Sequence, residues 1–135
     1  MTVIELAKLA NVTPDAVRYY TRIALLNPER HPENNYKLYS AHDVKRVKFI
    51  ARAQRLGFSL AEINEIIKTS RQGNTPCPLV RETIRTRIEE HRVMLKEMMD
   101  LQIRMQNALE KWETMPDQMP DGHAICRLIE TIEDL

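Results

Sequence analysis

At 135 residues the chain has room for one compact domain with an appendage, or for two small units, and none for a large enzyme core. Charged residues make up 29% and aromatics 5%, with three glycines, which suits helices with ion-rich faces and argues against a sandwich or barrel. The net charge of +1 conceals an asymmetry, because residues 1–57 carry ten basic and five acidic side chains while the remainder carries ten and fourteen.

A basic head followed by an acidic tail is the split expected when one part of a protein meets phosphate and the other does not. Solubility tuning produces the same split. No apolar run approaches the ~20 residues that a membrane span needs, and the first residues enter a polar helix without a signal-like core, so a cytoplasmic location is expected and no membrane partner. Cys77 and Cys126 are the only two cysteines and lie far apart, which reads as a pair of thiols rather than a structural disulfide.

Thr2 is positioned to cap a short first helix with Ile4, Leu6, Ala7 and Leu9 or Ala10 on its inner face, ending at Asn11. Thr13-Pro14-Asp15 then supplies a hydroxyl cap, a proline at the first helical position and a carboxylate against the helix dipole, starting a second helix that runs to about Thr21. Two short helices across so brief a break, with Asp15, Arg18, Tyr19 and Arg22 outward, form a helix-turn-helix pattern.

Between Asn27 and Tyr39 helical periodicity is lost. Pro28 and Pro32 break it, Asn34-Asn35 suits a tight turn, and Tyr36-Lys37-Leu38-Tyr39 alternates like a strand, so a small β-wing is predicted. Ser40-Ala41-His42-Asp43 opens a third helix with Val44, Val47, Phe49 or Ile50 and Ala53 inward, closing at Gly57. Ser59-Leu60-Ala61-Glu62 is a second capping box, opening a helix with Leu60, Ile63, Ile66 and Ile67 inward, followed by a polar linker to Pro76.

The next stretch is the most regular. Ile84, Ile88, His91, Leu95, Met98, Gln102, Met105, Leu109 and Trp112 are spaced alternately by four and three residues, the heptad pattern of a coiled-coil seam. A helix from about Pro78 to Thr114 would span roughly 55 Å, too long for so small a head to cover, so self-association into a homodimer is expected. His91 and the many methionines are read as seam and core fillers. Met115 to Gly122, with two prolines and a glycine, is a loop, and Ala124 to Leu135 is predicted as an amphipathic terminal helix.

Taken in this order, the elements resemble the MerR family of bacterial transcription regulators. The resemblance rests on Ile4-Glu5-Leu6-Ala7, on Val12-Thr13-Pro14-Asp15-Ala16-Val17-Arg18-Tyr19-Tyr20, on Asn35-Tyr36-Lys37-Leu38-Tyr39, and on Gln54-Arg55-Leu56-Gly57-Phe58-Ser59-Leu60-Ala61-Glu62-Ile63. It departs from the family pattern at Thr21, where an acidic residue is usual, at Ala24, where glycine is usual, and at Lys37, where arginine is usual.

The resemblance implies a mainly α fold: a winged helix-turn-helix DNA-binding domain in residues 1–70, a linker in 71–76, an antiparallel dimerisation helix in 77–114, and an effector-binding loop and terminal helix in 115–135. It further implies a homodimer on a palindromic operator in double-stranded DNA, which activates or represses by distorting the promoter so that RNA polymerase engages both promoter elements. Thr13, Arg18, Tyr19, Tyr36 and Lys37 would then be DNA contacts, although Arg18 could instead serve as a surface ion pair with Asp15.

Metal-sensing members of the family hold their ion under the loop after the dimerisation helix, and those sensing divalent ions recruit a cysteine at the start of that helix from the opposite subunit. Cys77 matches that cysteine and Cys126 matches the second loop cysteine, while Trp112 falls near the place of the first. With His123, Asp121 or water completing the set, the implied effector is a divalent ion of zinc, cadmium, mercury, lead, cobalt or nickel. A His123 that is merely solvated and a Cys77 buried beneath the linker are the ordinary alternatives. The incomplete ligand set leaves a second reading, in which Cys77 or Cys126 senses an oxidant or electrophile. No nucleophile with an adjacent base, phosphate-cradling glycine loop or paired carboxylate site is present, so no catalytic residue is expected.

Overall fold

The computed structural model describes residues 1–133 and divides into two compact units, Met1–Arg87 and the chain from Ile88 onward. The fold is mainly helical. The first unit contains α1 (Val3–Ala10), α2 (Pro14–Arg22), a two-stranded antiparallel hairpin of β1 (Glu29–Arg30) and β2 (Lys37–Leu38), α3 (Ala41–Arg55), α4 (Leu60–Arg71) and the beginning of α5 (Cys77–Trp112).

Each of the first four helices begins where a side chain satisfies backbone N–H groups left open by the first turn. The Thr2 hydroxyl accepts from the Glu5 N–H and the Thr13 hydroxyl from the Ala16 N–H. Ser40 with Asp43 and Ser59 with Glu62 form reciprocal capping boxes. α1 ends at Asn11, which takes the left-handed conformation at φ 57°. Leu6, Val17, Leu26, Val47, Ile50 and Ile63 are fully buried and form the centre of the core.

Ile4, expected on the inner face of α1, is exposed, because Leu6, Ala7 and Ala10 already fill that face; of the alternatives left open by the sequence, Ala10 rather than Leu9 and Ile50 rather than Phe49 turn inward. Ile84, expected in the dimer seam, packs with Val80 against the core of the first unit.

Thr21 and Ala24, two departures from the family pattern, have structural consequences. The Thr21 hydroxyl donates to the Val17 carbonyl and lies 2.7 Å from the Tyr39 hydroxyl, joining α2 to the end of the wing. The wing is also tied to the first residue, whose ammonium donates to the Tyr39 carbonyl at 2.7 Å. Ala24 sits at φ 64°, a left-handed conformation that a Cβ disfavours.

The second unit holds the remainder of α5 and α6 (Arg127–Glu130). Of the expected terminal helix from Ala124 to Leu135 only this single turn forms, and residues 134–135 lie outside the described part. The Trp112 indole N–H points to the Thr131 hydroxyl at 3.4 Å and the Lys111 ammonium to the Thr131 carbonyl at 3.3 Å, so the last turn of α5 anchors the end of α6. Among the described residues no helix is long and apolar enough to cross a membrane.

Candidate functional site

A groove of about 410 Å³ opens between the start of α1, the outer face of α2 and the hairpin, lined by Thr2, Val3, Ile4, Arg18, Arg30, Asn35, Tyr36 and Lys37. Three cations therefore converge there. The antiparallel register places Arg30 directly opposite Lys37 on the hairpin, and Arg30 donates to the Asn35 carbonyl at 3.2 Å, which holds its guanidinium over the turn. Tyr36 is 72% exposed at the tip, set by Asn34, whose side-chain oxygen accepts from the Tyr36 N–H at 3.1 Å.

Of the five residues expected to meet DNA, Arg18, Tyr36 and Lys37 line this groove, while Thr13 and Tyr19 do not. Thr13 is exposed at the N-cap of α2, and Tyr19 lies under the Arg22 guanidinium, 5.0 Å from its ring centre. The alternative reading of Arg18 is present in the fold: its guanidinium meets the Asp15 carboxylate at 3.0 Å. Both side chains are largely exposed, a setting in which such pairs contribute little and exchange readily for another anion. Arg30 was missed by the sequence reading, which counted it only as charge; the signal that finds it is its pairing position across the wing turn.

The two thiols are free. Cys77 is exposed at the first position of α5, which removes the reading that buries it beneath the linker. Its N–H donates to the Thr75 hydroxyl at 3.3 Å. Cys126 is half-buried at the N-cap of α6. His123 is exposed, and its backbone N–H and that of Ala124 both donate to one oxygen of Asp121, at 2.9 and 3.0 Å. Those two bonds hold the Asp121 carboxyl below its ordinary value.

A thiolate and an imidazole three positions apart suit a soft or borderline divalent ion by donor chemistry. Among the described residues of one chain, however, no three metal-ligating side chains come together.

Beyond Ile84 the expected seam lies bare on α5. Ile88 is 63%, Leu95 60% and Met98 65% exposed, and His91, Gln102, Met105 and Leu109 are exposed with them. Met94, Met99 and Leu101 widen this apolar row on either side.

Residues 1–70 match the family model described as MerR HTH family regulatory protein, and residues 44–111 match the model described as MerR, DNA binding. The chain is 31% identical over 131 residues to the HTH-type transcriptional regulator ZntR of Escherichia coli K12, covering 96% of this chain and 89% of that protein. It is 30% identical over 135 residues to the mercuric resistance operon regulatory protein of Bacillus cereus, covering 95% and 93%. In structure it is similar to the transcription regulator PbrR691 of Ralstonia metallidurans CH34, solved in complex with lead(II), with a TM-score of 0.76 at 23% identity over 97% of this chain and 98% of that one.

Proposed function

The chain belongs to the MerR family of helix-turn-helix regulatory proteins, and from that premise we propose that this DNA-binding transcription regulator works as a homodimer that switches a promoter when a divalent metal ion binds. α2 and the wing meet the operator, with Arg18, Arg30 and Lys37 as the phosphate or base-edge donors of the groove and Thr13, Tyr19 and Tyr36 at its margins. The observation that supports this most directly is the convergence of three cations from separate elements on one groove. A palindromic operator follows from two heads related by two-fold symmetry. Bending or untwisting the DNA between them costs a few kcal/mol, within reach of the contacts of two heads.

The apolar row of α5 from Ile88 through Leu109 is covered by the same row of a second copy, with Ile84 left to its own head. Cys77, Cys126 and His123 hold the effector. Because the described residues of one chain gather no three ligands, the site draws donors from two subunits, and its occupancy biases the angle between the heads. RNA polymerase at the promoter is the partner that reads that angle. The relatives named for mercuric resistance and solved with lead(II) support a soft metal as the effector class.

Metal stoichiometry tests this reading. With both thiols reduced, the dimer should bind zinc, cadmium or mercury(II), and Cys126→Ser should abolish induction while preserving operator binding. Failure to bind any of these ions would eliminate metal sensing in favour of the second reading, an oxidant or electrophile sensed through a thiol, which the exposure of Cys77 favours.

A further inference from the structure

The hairpin that carries Arg30 and Lys37 to the groove has little of its own to hold it. Each strand is two residues long and all four residues are exposed, and a two-stranded ribbon without a buried face is marginal in water. Its position over α2 is therefore set at its two ends. Leu25 and Leu26 are buried ahead of β1, and Tyr39, directly after β2, is 4% exposed.

Tyr39 is fixed in three ways. Its N–H donates to the Met1 carbonyl at 2.9 Å, its carbonyl accepts from the Met1 ammonium at 2.7 Å, and its hydroxyl lies 2.7 Å from the Thr21 hydroxyl. The Thr21 hydroxyl has one proton and directs it to the Val17 carbonyl at 2.9 Å, so the Tyr39 hydroxyl is the donor of the bond the two share. Two hydrogen bonds in series thus run from the base of the wing into the backbone of α2. A carboxylate at position 21 would accept from Tyr39 but has no proton to pass on to Val17, so the complete series depends on threonine or serine there.

Both ends of this series adjoin the cations of the groove. Val17 immediately precedes Arg18 on α2, and Tyr39 follows Lys37 by two residues, while Lys37 pairs across the hairpin with Arg30. Filling the core requires only the aromatic ring, which a phenylalanine would supply. What the hydroxyl adds is a fixed separation between Arg18 on one side and Arg30 with Lys37 on the other.

We propose that Tyr39 is a positioning residue: acting through Thr21 and Val17, its hydroxyl sets the spacing between the wing cations and Arg18, and with it the ability of the head to distinguish its operator from other duplex sequences. This rests on the reading of the groove as the DNA interface. Neither Tyr39 nor Thr21 lines the groove, so the effect is exerted through the cations and not by contact with DNA. Loss of the hydroxyl removes no phosphate contact and leaves the salt-dependent attraction in place, whereas the register of the base-reading side chains is loosened.

The test compares the affinity of the full chain for two duplexes of equal length, one selected by the wild-type chain from a random-sequence pool and one with the selected sequence scrambled. Tyr39→Phe should weaken binding to the selected duplex about tenfold, within the range that one mismatched base pair costs. Binding to the scrambled duplex should stay within about twofold and the salt slope should not change. Thr21→Val, which keeps the shape and loses the hydroxyl, should act in the same way, and the double variant should do no more than either alone, because one series of bonds is broken once. Thr21→Ser should keep the wild-type ratio of the two affinities. An unchanged ratio in a Tyr39→Phe chain of native helicity overturns the proposal, as do effects of the two substitutions that simply add. If Tyr39→Phe fails to fold, Thr21→Val against Thr21→Ser decides the matter, and equal ratios in that pair overturn the proposal. A wild-type chain that selects no sequence from the pool overturns the underlying DNA reading, and does so before any substitution is made.

Discussion

Arg87 of α5 and Glu62 of α4, far apart in sequence, form an ion pair in which the same Arg87 guanidinium also donates to the Gly57 carbonyl at 2.9 Å. The Glu62 oxygen that meets Arg87 also accepts from the Ser59 N–H at 2.7 Å. One carboxylate thus caps α4 and straps the base of α5 to the α3–α4 turn. Gly57 adopts φ 91° in that turn, so glycine is favoured there by backbone conformation; a Cβ would meet Arg87 Cγ only at an ordinary contact distance of 3.8 Å.

Arg87→Met should lower the stability of the first unit by about 1–2 kcal/mol, since it takes the guanidinium from the Gly57 carbonyl and leaves the Glu62 carboxylate with the Ser59 N–H but without its counter-charge in a half-buried turn. The denaturant midpoint of the full chain measures this. The Ser59 backbone bond first, and the Arg87 side chain after it, hold the Glu62 carboxyl below its ordinary value of 4.5. A carboxyl depressed by folding adds stability above its unfolded value and loses it as pH falls through its folded one. The stability gap between wild type and Glu62→Gln should therefore be constant at neutral pH and close below about pH 4.5. A gap that widened on acidification would contradict this pairing.

Ala24→Gly should stabilise the protein by about 0.5–1 kcal/mol. The left-handed backbone at this position costs an alanine about 1–2 kcal/mol, and the greater freedom of glycine in the unfolded chain returns part of that gain. Thermal unfolding reads the sign directly, and a lower midpoint would show that the turn accommodates the Cβ without strain.

Leu95→Glu combined with Met98→Lys should convert the dimer to monomers, because both side chains lie on the exposed apolar row of α5. Light scattering at micromolar concentration distinguishes the species. Retention of the dimer would place the interface elsewhere.

Arg18→Ala should weaken operator binding about tenfold or more and flatten its salt dependence by about one contact per chain. Asp15→Ala should not weaken it, because removing the carboxylate at 3.0 Å releases the guanidinium and takes a negative charge away from the groove. If both variants lose affinity equally, the pair itself is the binding element and Arg18 acts through it.

Much of the local architecture was legible from neighbouring residues. Thr2, Thr13, Ser40 and Ser59 cap their helices through bonds reaching three residues ahead, and Asn35 takes the left-handed turn between the strands at φ 59°. The terminal helix was not legible, because an amphipathic pattern in a short segment does not fix helix length when the segment has little to pack on. In the candidate site, Arg18, Tyr36 and Lys37 were found from motif position, whereas Arg30 required the hairpin register.

The opening asymmetry of a basic head and an acidic remainder, the capped helices and the heptad row were determined by the sequence, since each depends on composition or on residues within a turn or two of one another. Tertiary packing decided which cations share a groove, that Ile84 serves the head instead of the bare row of α5, and that Arg87 reaches Gly57 and Glu62. Those relationships join positions distant along the chain, and only the burial of Leu6, Val17, Val47, Ile50 and Ile63 in one core brings the elements carrying them into register.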